Sequence, residues 1–202
     1  MSIELLFKGL MIGFSIAMPV GPIGLLCIRN VLTFGMLCGL ITGLGAACAD
    51  AIYGALAGFG VTAVSSFLET HGAYIQICGA LFLSYLGIST FFGKASNTDN
   101  KEVGLTNYRA FLATFLLTLT NPMTIISFAG VYAGLGIGHE NSSVNHALIT
   151  TLGVFLGSIV WWFILSLTAS IFRDKFTTTS SIWLNKISGS ILFGFGSIAL
   201  IT

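Results

Sequence analysis

The feature that most constrains this chain is a long, predominantly apolar run from Met36 to Thr62 that contains one charged residue, Asp50. A helix that crosses a bilayer needs about 20 apolar residues, and this run is long enough. A carboxylic acid near the centre of such a helix costs about 2.5–3.5 kcal/mol on insertion scales, so its default interpretation is functional. We therefore predict that Asp50 binds or moves something inside a membrane.

The rest of the chain has the same apolar character. Only 7% of its residues are charged and 55% are hydrophobic, whereas soluble domains carry about 25% charged residues. Six apolar blocks have spanning length, at roughly 9–28, 36–62, 73–93, 111–135, 146–171 and 182–201. The sequence predicts an all-α membrane protein with six transmembrane helices in one transmembrane domain, residues 1–202. The net charge of +1 gives no reason to expect a nucleic-acid partner.

Loop charges predict the orientation in the membrane. Multi-pass proteins concentrate Lys and Arg in their cytoplasmic loops. The loops after the first, third and fifth blocks carry Arg29, Lys94, Lys101, Arg109, Arg173, Lys175 and Lys186. The opposite side carries only Lys8. We therefore expect those three loops to be cytoplasmic and both termini to lie outside.

Two halves of the chain share short patterns in the same order. The polar stretch 94–108 separates a first repeat, about 5–93, from a second, about 109–202. The matching segments are 21–23 with 121–123, 40–45 with 148–153, and 78–80 with 188–190. Each half holds an odd number of spans, so the second must enter the membrane from the opposite face. The sequence thus predicts two inverted three-helix repeats, an architecture that recurs among secondary transporters.

Prolines interrupt the first and fourth blocks near mid-depth. Pro19 and Pro22 lie close together in the first block, and Asn121-Pro122 lies in the fourth. A proline inside a helix removes a hydrogen bond and costs about 3 kcal/mol. In lipid, the freed carbonyls must find partners in the protein or in a wet cavity. We predict that helices one and four are broken, and that helix N-termini at the breaks favour an anionic group such as a substrate carboxylate.

The candidate binding residues share one depth. With a rise of about 1.5 Å per residue, the positions near the block centres fall in one thin slab. Ser158 is the repeat counterpart of Asp50, and Tyr53 shares a helix face with Asp50, where it either lines the cavity or packs. The predicted substrate- or ion-binding residues are Pro19, Gly21, Pro22, Asp50, Tyr53, Asn121, Pro122 and Ser158. No catalytic residue, metal ligand or cofactor is predicted.

Asp50 has no basic residue at its own depth in the sequence. Removal from water disfavours the charged form of an acid. Asp50 would then carry a proton when the site is empty and exchange it for a cationic amine. One carboxylate that holds either a proton or a substrate is a minimal proton antiporter.

Several segments resemble the lysine-exporter (LysE) family of small amino-acid efflux carriers. They are 19–24, 43–54, 85–87 and 121–122. The resemblance implies a multi-pass protein of a bacterial-type inner (plasma) membrane, an amino acid or derivative as substrate, efflux driven by H⁺, and a homodimer. The family's functional positions correspond to Pro19, Gly21, Pro22, Asp50, Asn121 and Pro122. Two departures are Val20, which separates Pro19 from Gly21, and Met123, where many members have lysine.

Two other classes compete with this interpretation. A divalent metal-ion exporter could use Cys48 and Asp50 as ligands, but residues at i and i+2 of a helix point to different faces. A membrane thiol–disulfide carrier needs two cysteines that can meet, and all four cysteines lie in the first half of the chain. The sequence also offers no grouping of nucleophile, base and orienting residue. It therefore predicts a transporter and not an enzyme.

Overall fold

The computed structural model describes residues 2–19, 21–59, 61–92, 103–134, 144–173 and 178–201, and within these ranges it is all-helical, with no strand. Eight helices follow one another in these ranges. They are α1 (Ser2–Ala17), α2 (Pro22–Phe34), α3 (Met36–Phe59), α4 (Val61–Phe91), α5 (Val103–Leu119), α6 (Pro122–Gly134), α7 (Val144–Ile171) and α8 (Thr178–Ile201).

Two of the six predicted blocks are each divided into two helices. The first block contains the boundary between α1 and α2, whose axes are 81° apart. The fourth contains the boundary between α5 and α6. Pro22 and Pro122 each begin a helix, where the missing proline N–H would have had no intrahelical partner. The helix boundaries therefore fall where the prolines predict them.

The helix that contains the third apolar block begins before that block does. The block is predicted over 73–93, whereas α4 begins at Val61. The intervening residues include Ser65, Ser66, Glu69 and His71, which made the segment too polar for a membrane span. Polar residues are compatible with a helix that continues beyond the hydrocarbon layer, so a hydropathy boundary is not a helix boundary.

Among the described residues, two helices are long and apolar enough to cross a membrane by themselves. They are α3 over Met36–Leu56 and the whole of α7, Val144–Ile171, and the bent pair of α1 and α2 gives a third if it forms one span. Both α3 and α7 are central in the bundle. They pack against each other, α1 packs on α7, α5 packs on α3, and α4 pairs with α8.

Glycines make these helix crossings close. A Cβ atom on Gly9 would lie 2.2 Å from the Thr150 carbonyl oxygen, and one on Gly157 would lie 2.0 Å from that of Leu10. Where α3 meets α5, a Cβ on Gly45 would lie 2.4 Å from the Phe111 carbonyl oxygen. Small residues allow helix backbones to approach, which is how helices associate in lipid.

Burial in this bundle follows the pattern expected for a protein in lipid. Large apolar side chains face outward, among them Leu148, Leu152 and Phe163 on α7. Buried threonines instead bond to carbonyls four residues earlier in their own helices, for example Thr114 to Ala110 at 2.7 Å. Extensive apolar exposure marks a surface that something apolar covers, and these buried threonine hydroxyls find acceptors in their own helices.

Candidate functional site

A cavity of about 540 Å³ lies where the two helix breaks approach each other. Pro19, Gly21 and Pro22 of the first break line one part of it, and Asn121 of the second break lines another. Asp50 of α3 lines the same cavity, together with residues of α4, α7 and α8. Its volume falls within the range of about 300–1,000 Å³ found for small-molecule sites.

The N-terminus of α2 faces this cavity without a side-chain cap. Gly21 is the N-cap residue, and the first hydrogen bond of the helix runs from Leu25 N–H to the Gly21 carbonyl, at 3.0 Å. The N–H groups of Ile23 and Gly24 are therefore left outside the helix's own ladder. Both residues line the cavity. Since a helix N-terminus carries about half a positive charge, the cavity gains a positive end without a basic side chain.

The start of α6 forms a second polar wall. The Asn121 carbonyl accepts hydrogen bonds from Thr124 N–H at 3.1 Å and from Ile125 N–H at 3.2 Å, which begins the helix. Asn121, Thr124 and Thr118 all line the cavity. Pro122 begins α6, but its side chain lies outside the described part of the structure. Neutral hydroxyl and amide groups thus line the cavity beside this second break.

Asp50 ends a chain of hydrogen bonds that starts on α7. The Ser158 hydroxyl donates to Oδ2 of Asp50 at 2.6 Å, and the Trp162 indole N–H donates to the Ser158 hydroxyl at 3.1 Å. Asp50 is 3% exposed, and Ser158 is fully buried. A carboxylate held this way in apolar surroundings is costly unless a cation or a proton neutralises it. The arrangement is therefore suited to binding one or the other.

Tyr53 is not among the described residues that line the cavity. Its phenol donates a hydrogen bond to the carbonyl of Leu119, the last residue of α5. Its ring packs against Phe128 of α6, with 5.8 Å between the ring centroids. The last carbonyls of a helix have no intrahelical donor. Tyr53 thus supplies a hydrogen-bond donor at the second break. Of the two alternatives that the sequence leaves open, lining the cavity or packing, the contacts of Tyr53 match packing.

Of the predicted site residues, the structure brings five together around the cavity and joins a sixth to it. Pro19, Gly21, Pro22, Asp50 and Asn121 line the space, and Ser158 reaches it through Asp50. Sequence reasoning assigned no role to Trp162, which lines the cavity and donates to Ser158. A signal was available, because Trp162 follows Ser158 by four residues and therefore shares its helix face.

The described residues contain no cluster of three or more His, Cys, Asp and Glu side chains that could hold a metal ion. Cys27 and Cys38 are free and buried, Cys48 is free and half-buried, and Cys78 is free and exposed. None of the four is a described lining residue of the cavity. The groups that could bind a ligand together with Asp50 are therefore hydroxyl, amide and backbone groups.

A second polar cluster joins α2 to its neighbours beyond the cavity, and we call it the α2 contact cluster. Arg29 Nε donates to Asn185 Oδ1 of α8 at 2.8 Å, and Asn30 Nδ2 donates to Thr42 Oγ1 of α3 at 2.9 Å. Cys27 Sγ lies 3.6 Å from Ser166 Oγ of α7. These contacts hold the half-helix α2 to three other helices in this conformation.

Replacing Ser158 by alanine is expected to weaken the site without unfolding the protein. The change removes the described side-chain donor to Asp50 and the acceptor of Trp162, and a lost hydrogen bond to a charged group costs about 1.5–3 kcal/mol. We expect substrate affinity to fall by about 10-fold or more, measured as the half-saturation concentration for transport. Thr168→Ala is the matched control, because Thr168 is exposed and its hydroxyl donates to the Ile164 carbonyl of its own helix. Unchanged affinity in Ser158→Ala would show that this bond does not position Asp50.

The fold and the site together define a helical membrane protein with a cavity between two helix breaks, as in a solute carrier, and the buried Asp50 is the one charged side chain of its described lining. The chain belongs to the LysE type translocator family, whose profile matches residues 14–202. The translocator class expected from the sequence is thereby confirmed.

Three proteins of known sequence are similar to this chain over most of its length. It is 31% identical over 192 residues to a Bacillus subtilis protein named "Putative amino acid efflux protein YcgF", covering 93% of this chain and 90% of that one. The uncharacterized membrane protein YrhP of the same organism is 25% identical, with 85% and 87% covered. The uncharacterized membrane protein YahN of Escherichia coli is also 25% identical, with 69% and 63% covered. No solved structure matches the chain significantly.

Proposed function

We propose that this protein is a secondary active efflux carrier for amino acids or amino-acid-like small molecules, coupled to protons through Asp50. The observation that carries the proposal is a buried acid, Asp50, which is the one charged side chain in the described lining of a cavity between two helix breaks. Membership of a translocator family supports it, as does the name of the relative that is 31% identical.

The proposed coupling follows from the charge of the site. Asp50 accepts one described side-chain hydrogen bond, from Ser158, and has no basic side chain beside it among the described lining residues. A proton or a substrate ammonium group can each neutralise it, but the two exclude one another. A proton that enters from outside therefore displaces the substrate, and the empty carrier returns protonated.

We further propose the inverted-repeat architecture, with six spans in one domain of residues 1–202. Its support is the symmetry of the helix contacts, because the packing of α1 on α7 is repeated by that of α5 on α3. Likewise, the contact of α2 with α8 is repeated by the contact of α6 with α4. Gly153 approaches the α1 backbone as Gly45, its repeat counterpart, approaches the α5 backbone. Asp50 and Ser158, counterparts in the same alignment, meet at the centre.

The proposal also places the carrier in the inner (plasma) membrane with both termini outside. Seven of the eight Lys and Arg residues lie in the three loops that would then be cytoplasmic or in the helix ends that adjoin them, as the positive-inside rule requires. We also propose that the carrier is a homodimer, because the resemblance to the LysE family implies one. In this orientation, the α2 contact cluster lies on the cytoplasmic side of the cavity.

Alternating access would require the α2 contact cluster to open, and a disulfide there should stop transport. Ser166→Cys places a thiol opposite the native Cys27, whose Sγ lies 3.6 Å from the Ser166 hydroxyl. We expect oxidation of this variant to reduce transport by about 10-fold or more and a reductant to restore it. The same substitution with Cys27→Ser is the control and should not respond to oxidation. Full activity of a variant shown to be crosslinked would mean that this contact stays closed during the cycle.

The test of the proposed function is transport by purified protein in proteoliposomes under an imposed pH gradient. Labelled amino acids are offered one at a time, with an ionophore that collapses the gradient as the control. We expect the gradient to drive accumulation of at least one amino acid and the ionophore to abolish it. Movement of Cd²⁺ or Mn²⁺ with no movement of any amino acid would replace this proposal with that of a metal-ion exporter.

A further inference from the structure

The charges around the cavity restrict what can bind in it. Asp50 is the one charged side chain among the described lining residues. The other polar lining side chains are neutral, those of Gln76, Thr118, Asn121, Thr124 and Ser127, with the indole N–H of Trp162. Most of the remaining lining is aliphatic or aromatic. The cavity thus offers one negative charge, a positive helix end and a large apolar surface.

We propose that this site selects amino acids with an uncharged, largely apolar side chain, and that Gly21 keeps the N-terminus of α2 open to the substrate's carboxylate. The inference rests on the proposed function, because it names the substrate class of the same cavity. Two independent features carry it, namely the number of charges in the lining and the environment of Gly21.

The number of charges limits the substrate to one ammonium group. The α-ammonium group can pair with Asp50, which is buried and faces the cavity. Among the described lining residues, the second ammonium group of a lysine would find no second acid, and a second carboxylate, as in glutamate, would find no basic side chain. Burial of an unpaired charge is strongly unfavourable. Both substrate types should therefore bind much more weakly than a neutral amino acid.

Gly21 has neither a conformational nor a packing reason to be glycine. Its φ of −102° and ψ of −156° are extended values that other residues adopt. A Cβ atom there would meet no described atom within 4 Å. What glycine provides is an N-cap position without a side chain, beside the Ile23 and Gly24 N–H groups that line the same cavity. Free N–H groups at a helix N-terminus bind anions, so this part of the cavity suits a carboxylate.

The apolar lining accounts for the substrate's side chain. Phe195 and Ile198 lie three residues apart on one face of α8, and Leu83 of α4 lines the same cavity. Removal of apolar surface from water favours binding roughly in proportion to its area. Among neutral amino acids, leucine and phenylalanine should therefore bind more tightly than alanine or serine.

The experiment measures ligand-induced thermal stabilisation of the purified full-length protein in detergent. The probes are L-leucine, L-phenylalanine, L-lysine, L-glutamate and L-leucine amide, which lacks the carboxylate. We expect the dissociation constant for leucine to be at least 10-fold lower than those for lysine, glutamate and the amide. Gly21→Val should weaken leucine binding by 10-fold or more. Gly130→Val is the control, because a Cβ at Gly130 also meets no described atom within 4 Å and this residue lies outside the cavity lining.

The outcomes separate this inference from the function on which it depends. Binding of lysine or glutamate as tight as that of leucine would overturn the selectivity and leave the amino-acid carrier in place. Normal leucine binding by Gly21→Val would show that the substrate's carboxylate does not bind at the N-terminus of α2. If no amino acid stabilises the protein and none moves in the pH-gradient assay, the proposed function fails together with the inference.

Discussion

Asp50→Asn is expected to reduce pH-gradient-driven transport by about 100-fold or more, because removal of one partner of a buried charge pair costs about 3–5 kcal/mol. The amide cannot be deprotonated and cannot neutralise a substrate ammonium group. It has nearly the same size as the acid, and its oxygen can still accept the hydrogen bond from Ser158. The measurement is uptake into proteoliposomes with and without the gradient, for wild type and variant at equal protein content.

The controls for Asp50→Asn separate lost function from lost folding. The variant should elute as a single species in detergent and melt close to the wild-type temperature, since its buried hydrogen bond is kept. Asp50→Glu keeps the charge and should retain part of the coupling. Full proton-coupled transport by Asp50→Asn would rule out the carboxylate as the coupling group and would require another proton acceptor.

Gly157→Ala is expected to lower the stability of the bundle by about 3 kcal/mol or more, at the upper end of the cost of overpacking. Its Cβ would lie 2.0 Å from the Leu10 carbonyl oxygen and 2.9 Å from the Phe14 amide nitrogen, so α1 would have to move away from α7. Backbone atoms cannot rotate aside as a flexible side chain can. The measurement is the yield of monodisperse protein in detergent and its thermal unfolding temperature.

Gly130→Ala is the matched control for Gly157→Ala. Both glycines lie inside helices, α6 and α7 respectively, but a Cβ at Gly130 meets no described atom within 4 Å. Alanine has the higher helix propensity, so the control variant should be as stable as wild type or more stable by up to about 1 kcal/mol. Equal stability of the two variants would show that α1 and α7 do not cross as closely as the structure indicates.

Local chemistry explains how much of the site could be predicted. Pro22 and Pro122 mark the helix starts because proline has no N–H to donate, a property that does not depend on the fold. The placement of Asp50 followed from the cost of an acid in an apolar run. The pairing of Ser158 with Asp50 by repeat position came from the order of short motifs, and in the structure the two side chains are hydrogen-bonded.

The remaining features depended on how helices rotate against one another. Tyr53 and Asp50 share a face of α3, yet Tyr53 reaches the end of α5 while Asp50 lines the cavity. Trp161 and Trp162 are adjacent in sequence, yet the ring of Trp161 packs against Phe14 of α1, while Trp162 lines the cavity. A difference of one residue turns a side chain by about 100° around the helix. Which one faces the cavity is set by the packing partner.

The sequence by itself determined that this is an all-helical membrane protein, that its first and fourth apolar blocks break at prolines, and that one acid lies deep in its second block. These properties follow from composition and from backbone chemistry that any surroundings would preserve. The tertiary structure decided that the two breaks enclose one cavity, that Trp162 and Ser158 hold Asp50 there, and that Gly21 leaves the start of α2 uncovered. Those features arise from contacts between helices, whose approach the glycines permit and whose rotation only packing fixes.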